Sequence, residues 1–435
     1  MSEHTHFGDK RTVTDRPKLV LHIGTHKTGT TTIQKFAAAN RAELSALGLH
    51  YPALIPSFGP RNPGHHHFAH ALSDEGSPSV TRQEALAFID KVREDAGDRT
   101  VLLSAEPFFR HVLGARDGAD YWTARRNYIR AVAEALSGFD VTVVVVFRRL
   151  DDFVQSLYKE SVLQSRYSKP ITDFVRERRT SFEYGRHLDL WEDLFGHDAL
   201  KISLYDKRVR GRATVDQFFA LLGCDTTGIV ANVTSEANVS VSPIAVEVKR
   251  LINAHPLHGR QSLKMRNVLE RLQESPRFTD LLARAFGLIR VSFDETGALH
   301  SEMTALLARL PECPARDAFM TGWSTDIDQP VPADAAQVDI LVQTLLSAAH
   351  AHFHMMAEEH LAYANRFSKA GALRQAVLAT SRALEFEPQR IDLYLAMLDQ
   401  LPEGEIGERK KVLALASKEL SGPDYAKLQE ESGVA

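Results

Sequence analysis

The sequence predicts an α/β fold, a parallel sheet flanked by helices, followed by a helical C-terminal extension. Three observations carry this expectation. Short apolar runs at 19–23, 49–51, 100–104, 141–147 and 200–205 punctuate the first half of the chain. Stretches with apolar residues at helical spacing separate them, and strands alternating with helices imply a parallel sheet with helices on both sides. Beyond about residue 230 the runs stop and helical stretches continue, separated by proline-bearing loops.

Each element has its own reason. The run VTVVVVF is β-branched nearly throughout and does not alternate, as a strand covered on both faces requires. Residues 30–47 place Ile33, Phe36, Ala37 and Leu44 near one helical face, and 121–136 and 152–164 repeat that spacing. Later helices are expected at 244–253, 263–273 and 335–354, with GWSTDIDQPVP at 322–332 as a connector. The segment YANRFSKAGALRQAVLATSRALEFEP carries Ala364, Gly371, Ala376, Ala383 and Pro388 at the spacing of a single tetratricopeptide-like helix pair. Two readings of this tail stay open, an amphipathic cover for the main domain or a module that recruits a protein partner. The domains read as an α/β domain at 17–230, a helical continuation at 231–325 that contributes acceptor-site elements, and an all-helical segment at 333–435.

Composition excludes several classes. A net charge of -4 over 435 residues gives no global basic field for nucleic acid or an anionic membrane. Cys224 and Cys313 are too few for a disulfide framework or a zinc site. The N-terminal stretch lacks the apolar core of a signal peptide, and no run approaches the roughly 18 apolar residues of a membrane span. The expectation is a soluble cytoplasmic protein, in which the N-x-[ST] sequons at Asn232 and Asn238 carry little meaning.

The chemistry begins at LVLHIGTHKTGTTTIQ, residues 19–34. In the G-x-x-x-x-G-K-[ST] phosphate loop the lysine follows the second glycine. Here Gly24 and Gly29 keep the glycine spacing, Thr30 follows directly, and Lys27 lies between them. A glycine-rich turn between strand and helix presents backbone N–H groups to an anion, helped by the helix dipole. Thr28, Thr30, Thr31 and Thr32 add hydroxyl donors, and Lys27 is left to reach a charged group from within the loop. The apolar strand at 141–147 then ends in Arg148 and Arg149, where a magnesium-dependent nucleotidase would place an aspartate. A guanidinium there suits a second phosphate, and Ser156 follows eight residues later. Two anion sites at two strand ends imply a ligand with two separated anionic groups.

These residues resemble the sulfotransferases that use 3'-phosphoadenosine 5'-phosphosulfate. Their P-K-[ST]-G-[ST]-[ST] loop is similar to H-K-T-G-T-T-T, His26 to Thr32, with histidine in place of proline. Their arginine and serine for the 3'-phosphate match Arg148 and Ser156. The likeness spans about residues 17 to 255, and includes YGRHLDLWEDLFGHDALKISLYDKRVRG, DQFFALLG and the ANVSVS stretch. A C-terminal R-K-G-x-x-G-x-W element is absent, which favours a bacterial or carbohydrate-type branch over the small-phenol branch. The resemblance implies a P-loop-type sheet, the phosphosulfate as co-substrate, and metal-independent in-line transfer to a hydroxyl or amine of a glycan or glycolipid. It puts Lys27 at the bridging oxygen of the leaving group and His26 in a loop-shaping role.

Glu106, just past the strand at 100–104, is the expected general base, since glycan sulfotransferases carry a glutamate with aromatics behind it at a similar place. Its bland alternative is an ion pair with Arg110. NPGHHHFAH holds His65, His66, His67 and His70, and consecutive histidines cannot all face one ion, so no metal site is expected. A loop facing the acceptor fits better, with His66 or His67 as fallback base. Phe108, Phe109, Tyr158 and Tyr167 are candidates for a cleft border or for core, and Arg166 and Lys169 for an anionic acceptor or a solvated cluster. The competing functions are a P-loop nucleotide kinase and a non-catalytic nucleotide-binding protein with a partner-recruiting tail.

Overall fold

The computed structural model of the chain describes residues 16–54, 63–229, 241–255, 259–312, 314–402 and 404–432. Cys313, Asn232, Asn238 and most of the ANVSVS stretch lie outside them. The chain forms two compact units, one made of residues 1–157, 175–237 and 294–325, the other of 158–174, 238–293 and 326–435.

The first unit is built on five parallel strands in the order β2-β3-β1-β4-β5. These are β1 (Lys18–His22), β2 (Leu49–His50), β3 (Thr100–Ser104), β4 (Asp140–Phe147) and β5 (Leu200–Leu204). The α/β expectation holds, and the expected runs coincide with the strands to within a residue or so. In β4, Val143 to Phe147 are buried, as a strand covered on both faces demands. Registers such as Leu19↔Val101 and Leu19↔Val141 align the carboxyl ends of β3, β1 and β4 along one edge. The chain crosses over β1 in passing from β3 to β4, so β1 marks the switch point where such sheets bind ligands.

Helix α1 (Thr30–Ala39) and the helix Arg212–Leu221 cover one face together. Ile33, Phe36 and Ala37 pack with Val215, Phe218 and Phe219 over Val20, Leu102 and Val144. The single helix expected at 30–47 is instead two, Thr30–Ala39 and Arg41–Ala46. Asn40 breaks it, because its amide donates to the carbonyl of Phe36 and competes with helix continuation.

In the second unit, the helices Pro243–Asn253, Gly259–Leu272 and Pro276–Ala285 share a core with Val338, Val342, Leu346 and Phe353 of the long helix Ala335–Lys369. The segment read as a connector is partly a strand: β6 (Phe286–Ser292) and β7 (Asp326–Pro332) form an antiparallel ladder. Ala335–Lys369 runs fifteen residues further than expected and stops just before Gly371, whose φ of 72° turns the chain into Leu373–Leu384. Ala364, Ala376 and Ala383 are buried in this helical hairpin. No helix among the described residues is long and apolar enough to cross a membrane.

Candidate active site at the carboxyl edge of the sheet

The loop after β1 is pinned to β4 by backbone. Ile23 N–H donates to Val144 O at 2.9 Å and Thr25 N–H to Val146 O at 3.1 Å, and the Thr25 hydroxyl reaches the same Val146 carbonyl at 2.9 Å. Thr28 is buried and its hydroxyl donates to Thr25 O at 2.7 Å, so this predicted donor closes the loop on itself. Lys27 holds a φ of 67°, sparsely populated for a residue with a side chain. Gly29 holds a φ of 79° as the residue before α1, and a Cβ there would meet Thr214 Cγ2 at 2.9 Å. A side chain at that junction is strained and must push Thr214 aside. Thr32 N–H donates back to Gly29 O at 3.0 Å, while no side chain caps the start of α1, the helix end at which backbone N–H groups suit an anion. His26 and Lys27 are half-buried, Thr30 is buried, Thr31 is exposed and Thr32 is half-buried.

Arg148 joins the second strand end to this loop. Its Nη1 donates to the carbonyl of Lys27 at 3.2 Å, and its guanidinium lies 5.7 Å from the Tyr205 ring centroid. Its Nε is buried and has no partner among the described residues. Ser156 sits half-buried in the helix Leu150–Gln164 that follows. Arg149 does something else. Its Nε binds Asp151 at 2.7 Å, and its other nitrogens donate to the carbonyls of Phe319, Thr321 and, at 3.0 Å, Gly322. Asp151 in turn accepts the Ser324 N–H at 3.0 Å. Arg149 is thus a structural tie, and Arg148 carries the strand-end cation.

A small open pocket of about 40 Å³ lies beside the loop, lined among others by Thr28, Val146, Tyr205, Thr214 and Phe218. Sequence reasoning missed Tyr205 and Thr214. The available signal was position alone, since both follow β5 at the ligand edge.

Beneath the loop lies a buried polar relay. His22 Nδ1 meets Ser104 Oγ at 2.9 Å, and Ser104 Oγ also accepts from Gln34 Nε2 at 3.2 Å. His22 Nε2 is buried without a partner among the described residues and lies against Gly24. Burial lowers the His22 pKa to about 4, partly opposed by the charge of Glu106.

Glu106 lies in a 3-10 turn just past β3, buried at 7 % exposure. Its Oε2 accepts from His66 Nε2 at 2.6 Å and from Gln34 Nε2 at 3.3 Å. Burial by itself would raise this carboxyl. The hydrogen bond and charge of His66, with the Thr30 hydroxyl, outweigh it and hold Glu106 well below the usual carboxylate range. The pairing with Arg110 does not form, because Arg110 turns to Glu75 at 3.6 Å.

The four loop histidines separate into four roles. His65 is fully buried and fully partnered: Nδ1 accepts from Ser104 N–H at 3.0 Å and Nε2 donates to Pro52 O at 3.0 Å. His66 binds Glu106, His67 Nδ1 meets Ser77 Oγ at 2.9 Å, and His70 meets His111 at 2.9 Å. Phe108 and Phe109 are core residues, with Phe109 packed against Phe147, Tyr184 and His187. Arg166 belongs to the second unit, where it donates to His255 O at 3.2 Å. Tyr158 and Tyr167 pack there with Phe174, and Tyr158 donates to Lys169 O at 3.2 Å.

Two buried polar atoms, Arg148 Nε and His22 Nε2, flank the loop without a partner among the described residues, and a buried polar atom without a partner is costly. No family model matches the chain, and no curated protein matches it. A solved structure described as a sulfotransferase from Alicyclobacillus acidocaldarius is similar over 56% of this chain and 97% of its own, at 15% identity and a TM-score of 0.34. At that level of likeness the site's chemistry rests on its own residues.

Proposed function

We propose that the chain is a sulfotransferase that moves the sulfuryl group of 3'-phosphoadenosine 5'-phosphosulfate to a hydroxyl or amine of a glycan or glycolipid. The supporting observation is that Arg148 donates to the backbone of Lys27 itself, so two cations from neighbouring strand ends serve one loop. One nucleotide with two anionic groups can bridge them. The loop N–H groups and Lys27 hold the phosphosulfate, and Arg148 and Ser156 hold the 3'-phosphate.

In the transfer, the acceptor oxygen forms a bond to sulfur while the sulfur–oxygen bond to the 5'-phosphate breaks. The electron pair stays on the phosphate oxygen, where Lys27 Nζ stabilises it. The acceptor proton needs a base in reach. Glu106, held low by its partners, is a weak one. The pair works better as a unit: Glu106 accepts the Nε2 proton of His66, fixes the ring, and leaves Nδ1 as the proton acceptor.

Calorimetric titration of 3',5'-adenosine bisphosphate and of ATP, with EDTA present, tests the nucleotide. Tight binding of the bisphosphate and weak binding of ATP support the proposal, and the reverse order supports a kinase. Radiolabelled sulfate transfer to a glycan panel tests catalysis, and bisphosphate binding with no transfer to any acceptor would support the non-catalytic alternative. For the base, His66→Asn should lower kcat about 100-fold and Glu106→Gln about 10-fold. A Glu106→Gln loss exceeding that of His66→Asn would return the base role to the carboxylate.

A further inference from the structure

We propose that His70, Glu75 and His111 bind one divalent transition-metal ion, zinc by chemistry, at a site separate from the transfer centre. Their ligand atoms all lie within 4.8 Å of one another. His70 Nδ1 is 2.9 Å from His111 Nε2 and 3.3 Å from Glu75 Oε2. Two imidazoles and one carboxylate, with a fourth position left for water, form a common zinc donor set.

His111 Nε2 and His70 Nδ1 face each other across one hydrogen, which must leave or move to an outer ring nitrogen before an ion can take both lone pairs. On the outer side of the His111 ring, Nδ1 lies 3.4 Å from Glu75 Oε1. Zinc–nitrogen bonds of about 2.0–2.1 Å at a tetrahedral angle put two nitrogens roughly 3.3 Å apart. The 2.9 Å pair therefore needs to open by only a few tenths of an ångström, in the order of ordinary side-chain adjustment. Arg110 approaches Glu75 Oε1 at 3.6 Å and leaves Oε2 on the metal side.

The surrounding backbone fixes the three ligands before any ion arrives. Asp74 N–H donates to Val112 O at 3.0 Å, and the Asp74 carboxylate accepts from Gly114 N–H at 2.9 Å and Ala115 N–H at 2.8 Å. Tyr128 packs edge-on against the His111 ring and donates its hydroxyl to Ala69 O at 3.1 Å. His111 is buried, His70 half-buried and Glu75 exposed, so the open position faces solvent. His66 begins the same short helix, His66–Ala71, that carries His70, and a bound ion would steady it.

The test uses the full chain, stripped with EDTA and free of nucleotide. Calorimetry with Zn²⁺ and absorption with Co²⁺ should show one equivalent bound and the visible bands of a four-coordinate nitrogen–oxygen site. Glu75→Gln and His70→Asn, both solvent-reaching and checked for fold by circular dichroism, should each weaken binding at least tenfold. At the same concentration, Zn²⁺ should raise the Tm of the wild type more than that of either variant. No Zn²⁺ uptake by the wild type, or equal uptake by both folded variants, overturns the site.

Discussion

The loop after β1 and the turn after β3 end adjacent strands, and each rests on a buried imidazole that touches Ser104. They differ in what is left over. His65, beside β3, spends one nitrogen on the Ser104 N–H and the other on Pro52 O. His22, at the end of β1, spends one nitrogen on the Ser104 hydroxyl and keeps Nε2 without a partner among the described residues. The β3 turn likewise closes on itself through Glu106 and His66, whereas Arg148 beside the β1 loop keeps an unpartnered Nε. Buried polar groups are normally satisfied, so the β1 side is where the proposed nucleotide would supply partners that the β3 side already has.

The largest effect expected from this comparison is acid sensitivity. Burial lowers His22 and His65 to about 4, and His187, buried between Arg125 and Thr180, to about 3. Each folded pKa lies below the unfolded 6.5, so the unfolded chain binds more protons and stability is lost as pH falls from about 6.5 toward 4. The loss should reach about 1–2 kcal/mol per histidine by pH 5. Denaturant melts at pH 7 and pH 5 measure it, and equal midpoints would contradict neutral burial of these rings.

Next in size, Lys27→Ala should lower kcat by about 10²–10³ with little change in donor affinity. Near-normal turnover with the donor still bound would remove Lys27 from the chemistry. Arg148→Ala should weaken 3',5'-adenosine bisphosphate by about 10–100-fold, the worth of a charge-assisted bidentate pair. Unchanged affinity would mean that its unpartnered Nε is not a ligand donor. Smallest, Gly29→Ala should cost about 1–2 kcal/mol, from a φ of 79° and a 2.9 Å approach to Thr214 Cγ2. A melt matching the wild type would show that the junction relaxes.

Much of the first unit's sheet was legible because parallel strands covered on both faces run apolar, as VTVVVVF does. The β6–β7 ladder was not. Pro330 and Pro332 read as breakers in DIDQPVP, yet both strands of a two-stranded ladder are edges, where proline is tolerated. Lys27 and Arg148 were legible as cations because one sits in the glycine loop after β1 and the other directly follows β4. The pairing of His66 with Glu106 was not, since it spans forty residues and follows from how the chain returns to β3. Glu75 had no signal at all in DEG, and only the fold brings it to His70 and His111.

Arg149 carries a practical warning for protein engineering. A shortened version ending near residue 230 would look self-sufficient from its strands alone. It would delete the three carbonyls, Phe319, Thr321 and Gly322, that receive the Arg149 guanidinium, and the Ser324 amide that caps Asp151. Arg149, one position after Arg148, would keep Asp151 but lose these carbonyls, which would disturb the carboxyl end of β4 from behind. Any minimal version meant to keep that strand tip intact has to retain residues 294–325 along with the sheet.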